Sequence, residues 1–89
     1  MKPDEIKKLR ENIGLSQTQL AQLLAVSPST ISYWETGERN PQPIYEASIM
    51  QLNDKFYNSN KQDEIKEIIL KFIIFGGLAA FLLWLFNKD

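Results

Sequence analysis

LSQTQLAQLLAVSPSTISYWETG, residues 15–37, is the stretch whose reading decides the fold. Ser16 followed three residues later by Gln19 is a capping-box pattern, in which hydroxyl and amide side chains satisfy the free backbone N–H groups of a starting helix. Leu20, Ala21 and Leu24 then supply the buried face of one short helix. Ala25 and Val26 make a turn. Ser27 is an N-cap with Pro28 in the first helical position, where a missing N–H costs nothing, and a second short helix runs through Ile31, Trp34 and Glu35. Gly37 stops it. Neither helix has enough apolar surface to stand alone, so both must lean on neighbours.

Those neighbours lie on either side. Pro3 suits a first helical turn, and Ile6, Leu9 and Ile13 recur at spacings of three and four, which predicts an amphipathic helix over residues 4–13 ended by Gly14. Ile6, Leu9, Ile13, Leu20, Leu24, Ile31 and Trp34 are the expected core. Prolines at 41 and 43 break the chain before a fourth helix at about 44–57, whose core face is expected at Ile44, Ala47 or Ser48, and Leu52. Asn58 to Gln62 has no apolar residue and reads as a linker. Asp63 can cap a final helix reaching about Phe86. No strand, internal repeat or low-complexity tract is visible. The chain is therefore expected to be all-α, with a head over 1–57, a polar linker over 58–62 and a hydrophobic C-terminal helix over 63–89.

Composition narrows the chemistry. The 89 residues include no cysteine and no histidine, so there is no thiolate, no disulfide, no imidazole base and no usual zinc ligand. No carboxylate pair sits beside a nucleophile or a glycine-rich phosphate loop. The chain is not expected to be an enzyme, and no metal site or cofactor is expected. With 10 Lys and Arg against 11 Asp and Glu the net charge is -1, which does not announce the basic patch usual in nucleic-acid binders. Met1 to Asn12 is charged and carries no secretory signal pattern.

Two short capped helices joined by a tight turn form a helix-turn-helix pattern, the second helix being built to face outward. IKKLRENIGLSQTQLAQLLAVSPSTISYWETGERNPQP, residues 6–43, resembles the phage-repressor and Cro type of helix-turn-helix, also called the xenobiotic response element family. Leu15, Ser16, Gln17, Leu20, Ala21, Val26, Ser27, Ile31, Ser32, Trp34, Glu35 and Gly37 carry the likeness in register. The resemblance implies a compact bundle of four or five helices whose third helix enters the major groove of double-stranded DNA. By position it implies phosphate contacts from Gln17, Ser27, Arg39 and Asn40, the first aided by its backbone N–H and the helix dipole. Pro28, Ser29, Thr30, Ser32 and Tyr33 would form the groove surface, with Ser29 and Tyr33 nearest to base edges and Thr30 equally suited to capping. Arg10 and Glu35 match a pair that ties helix one to helix three through a salt bridge.

The sequence departs from that pattern at several positions. Ala25 stands where glycine is frequent, and a left-handed backbone there would cost about 1–2 kcal/mol for a residue with a side chain. Glu38 replaces a commonly basic residue, and Tyr33 a common long polar one. Leu23, usually polar, is expected at the surface. With few cations a single head should bind DNA weakly and with shallow salt dependence.

From Ile68 to Phe86 only Lys71 is charged, and a continuous helix there would be ~28 Å long against a hydrocarbon core of ~30 Å. This predicts a transmembrane span at about 68–86, with the head on the cytoplasmic side because Lys61, Lys66 and Lys71 precede the run. Gly76 and Ala80 would form a small-xxx-small contact between two such helices. The resulting expectation is a sequence-specific DNA-binding transcriptional regulator of the repressor type, homodimeric and held at the cytoplasmic membrane by the lipid bilayer. Two alternatives stand beside it: a membrane-associated module that binds a protein partner, and a cytoplasmic dimeric repressor using the hydrophobic helix as its interface.

Overall fold

The computed structural model describes residues 1–87. Among them it forms six helices and no strand: α1 (Pro3–Ile13), α2 (Gln17–Leu24), α3 (Pro28–Thr36), α4 (Pro43–Tyr57), α5 (Gln62–Phe75) and α6 (Leu78–Phe86). Local chemistry places the first three closely. Ser16 Oγ accepts from Gln19 N at 3.0 Å while Ser16 N donates to Gln19 Oε1 at 2.9 Å, closing the reciprocal cap of α2. Ser27 Oγ accepts from Thr30 N at 3.2 Å to start α3. Gly37 leaves α3 at φ 83°, and a Cβ there would lie 3.3 Å from Pro3 Cγ, so the α3 exit passes close to the start of α1.

Ala25 adopts the left-handed conformation at φ 56° and ψ 42°, and Val26 N then donates to Ala21 O at 2.9 Å. The turn thus keeps the geometry usual for glycine and carries the strain of a side chain there.

Ile6, Ile13, Leu15, Leu20, Leu24, Ile31 and Trp34 are buried, while Leu9 packs at the margin of the core. The core face of α4 keeps Ser48 and Leu52 of the expected positions but not Ile44. Ile44 and Ala47 are exposed, whereas Ser48, Ile49, Leu52 and Phe56 are buried. Two contacts account for this. Tyr45 lies against Trp34 with ring centroids 5.4 Å apart, and Ser48 Oγ donates to Ile44 O, which lets a hydroxyl enter the core with its hydrogen bond made.

The C-terminal region corrects the expectation of one long helix. The run over 68–86 breaks at Gly76 and Gly77, whose φ values are 62° and 117°, and α6 folds back to pack on α4 and α2. The two pieces have 14 and 9 residues, or about 21 and 14 Å. No helix among the described residues is long and apolar enough to cross a membrane. Asp63 lies inside the first turn of α5, with Lys61 at the cap position and no side-chain cap.

Two adjacent glycines weaken a helix by about 1 kcal/mol each, and the head offers an apolar surface that rewards the fold-back. Ile69, Phe81 and Leu85 are at most 1% exposed, and Phe72, Phe81 and Trp84 form an aromatic cluster with centroids 5.7–6.2 Å apart. Leu23, expected at the surface, is 2% exposed, because α2 packs against α5 and α6 as well as α3. Its apolar side chain is where head and tail share a core.

Candidate nucleic-acid interface

The helix-turn-helix arises because α2 and α3 are both short, both capped by serine and crossed through a three-residue turn at Ala25, Val26 and Ser27. Ile31 and Trp34 anchor α3 inward, which leaves the first turn of the helix outward. Pro28 and Ser29 are exposed there; Ser32 and Tyr33, one turn on, are half-buried. Ser27 and Thr30 pair their hydroxyls at 2.9 Å, so these two side chains engage each other and the backbone of the cap.

A second cluster forms at the opposite end of α3. Arg39 and Asn40 are exposed in the loop that follows, and the Arg39 guanidinium lies 4.8 Å from the centroid of the Tyr33 ring. Arg39 N also donates to Tyr33 O at 3.3 Å. One face of the Tyr33 ring is therefore covered by a cation, which orders an otherwise flexible Arg.

Gln17 heads α2, but its side chain turns inward: Nε2 donates to Glu35 Oε1 at 3.0 Å. A phosphate contact from this residue would thus use its backbone N–H, or require the amide to leave Glu35. Arg10 grips the same carboxylate from α1, through Nε to Oε2 at 2.7 Å and Nη2 to Oε1 at 3.0 Å, and its Nη1 donates to Leu15 O at 2.8 Å. Both side chains are largely buried, with 10% and 4% exposure. Burial alone would raise the Glu35 pKa. The hydrogen bonds from Arg10 and Gln17, with the positive charges of Arg10 and Lys7, outweigh it and hold the carboxyl below its ordinary value.

Sequence reasoning missed the Gln17 to Glu35 bond, since nothing local connects residues 18 apart. It also missed Lys7, one turn before Arg10 on α1, whose charge reaches Glu35; the three-residue spacing was the available signal. Gly76 and Ala80, the expected helix-helix contact, are exposed but no longer share a helix, so their four-residue spacing does not create one smooth stripe. Among the described residues no group of acidic side chains could hold a metal ion.

Residues 6–45 match the family model described as helix-turn-helix. Over 56 residues the chain is 34% identical to the Type II methyltransferase M.MspI of Moraxella sp, a match taking in 62% of this chain and 13% of that protein. The chain thus spans only a small part of that relative's length. No solved structure matches it.

Proposed function

From a chain whose residues 6–45 belong to the phage-repressor and Cro type of helix-turn-helix, a match that supports DNA binding, we infer a sequence-specific transcriptional regulator that acts in the cytoplasm without catalysing a reaction. The observation that carries this is the outward first turn of α3, where Pro28 and Ser29 stand exposed above a helix anchored by Ile31 and Trp34. Its small side chains let the helix approach base edges closely, with Ser29 offering a hydroxyl and Tyr33 an apolar ring edge. Exposed Arg39 and Asn40 flank this surface as phosphate contacts, together with the backbone N–H of Gln17 and the hydroxyl of Ser27.

The likeness to a segment of a methyltransferase fits a portable addressing module, because a helix-turn-helix can direct an attached activity to DNA as readily as it can act alone. Selection from random-sequence duplexes at low salt, read by gel shift, tests this role. One enriched site is expected, repeated at ~34 Å if two heads bind together. Absence of any enriched sequence would overturn it. That result would favour a protein-binding module, toward which the scarcity of cations points: Arg39 is the sole positive side chain among the expected contact residues.

A further inference from the structure

We propose that the groove between α1 and α4 is a binding site for a small organic cation, an amine carried on an apolar body. The site stands whether or not α3 reads DNA. The two helices are tied where they begin, the Met1 ammonium donating to Glu46 Oε1 at 2.6 Å, and an open cavity of about 280 Å³ lies between them. Leu9 of α1 and Met50 and Tyr57 of α4 give it apolar walls. Met50 and Tyr57 are 50% and 51% exposed, so the fold itself does not cover them. The Tyr57 ring stands edge-on to buried Phe56 with centroids 5.6 Å apart, which holds it as a wall, and Met50 is a wall that adapts to what it meets.

Charge selects the occupant. Glu5 and Asp54 line the groove and, among the described residues, join no ion pair. Lys8 opposes them, while the Met1 ammonium is cancelled by Glu46. Two carboxylates against one free ammonium leave the groove negative, which attracts a cation and repels an anion. Asn53 asks for the same partner. Its Oδ1 is buried without a hydrogen-bond partner, and an unpaired buried acceptor favours a donor that can reach it. The terminal torsion of Asn is broad, so a modest rotation turns this oxygen toward the groove that Asn53 lines. An amine cation therefore finds an orphan acceptor and two carboxylates, and its apolar body covers Leu9, Met50 and the Tyr57 ring, whose face also attracts positive charge. Among the described residues no acidic group could hold a metal ion, which leaves an organic cation. At a liquid-like share of about 30 Å³ per heavy atom the cavity takes about nine such atoms, the size of 2-phenylethylammonium.

Titration of the full chain with 2-phenylethylammonium at neutral pH and low salt, followed by proton–nitrogen correlation NMR, tests the proposal. The amide signals of Leu9, Met50, Asn53 and Tyr57 are expected to move saturably, with a dissociation constant on the order of 1 mM. Uncharged 2-phenylethanol, of the same size, should bind about fivefold more weakly, a modest factor because the carboxylates are exposed. Phenylacetate should not bind. Glu5→Gln combined with Asp54→Asn, both at exposed positions, should remove the preference for amine over alcohol while circular dichroism stays unchanged. The proposal is overturned by the absence of saturable movement, by movement confined to other surfaces, by equal affinity for amine and alcohol, or by a preference that survives the double substitution.

Discussion

Glu35 holds three helices at one carboxylate: Arg10 from α1 and Gln17 from α2 both donate to it from within 3.0 Å, and it belongs to α3 itself. Glu35→Ala leaves the Arg10 guanidinium buried without its partner, which should cost about 3 kcal/mol and appear as a lower thermal midpoint. The acid limb follows from the direction of the pKa shift. A carboxyl held below its ordinary 4.5 stabilises the fold fully above that value and loses its contribution as pH falls through the depressed folded value. Urea midpoints measured between pH 6 and 3 should therefore fall for the wild type, and this fall should be shallower in Glu35→Gln. At Ala25 the sign reverses: Ala25→Gly removes left-handed strain and should raise stability by about 0.5–1 kcal/mol after the greater freedom of unfolded glycine is subtracted, measurable by urea denaturation. On the DNA side, Arg39→Ala should reduce the slope of log affinity against log salt by about 1, and Tyr33→Ala should weaken binding partly by releasing Arg39, so the two losses should not add.

At the scale of elements, α1 to α4 were legible because each carries local boundary chemistry: Pro3, Ser16 with Gln19, Ser27 with Pro28, Gly14, Gly37 and Pro43. The exposure of Ile44 on α4 was not, since choosing Tyr45 over Ile44 depends on where Trp34 stands across the bundle. Nor was the hairpin. An unbroken apolar run has the same appearance whether lipid or protein covers it, and the choice rests on two glycines plus an apolar head surface that exists only after folding. Leu23 was the clue to that surface, an apolar side chain at a position where the family is usually polar. Of the candidate interface, the outward turn of α3 was implied by the helix-turn-helix resemblance, whereas the inward hydrogen bond of Gln17 required the tertiary structure. Replacing Gly76 and Gly77 with alanine places side chains at φ 62°, ψ 172° and φ 117°, ψ 111°, both outside the regions alanine adopts readily. The hairpin should then open more often, and trypsin should cleave after Lys71 faster than in the wild type.

For the whole molecule the consequence is one continuous core rather than a head with a detachable tail. Ile69, Phe81 and Leu85 close over apolar side chains of the bundle, so a fragment ending at Asn60 should lose more than ~3 kcal/mol of stability, assessed by thermal melting. The expected polar linker is then only the α4–α5 turn. The molecule spans 35 × 24 × 21 Å, which leaves hairpin and α3 as separate parts of one small body. Its two tryptophans fall one to each half. Trp34 is 4% exposed beneath α3, and Trp84 is half-buried on α6 with the Lys55 ammonium 5.1 Å from its ring. They are built-in fluorophores in different surroundings, one dry and one beside a cation. Trp34→Phe and Trp84→Phe variants would each leave a single emitter, so the colour and quenching of the remaining light would report separately on α3 and on the α5–α6 hairpin.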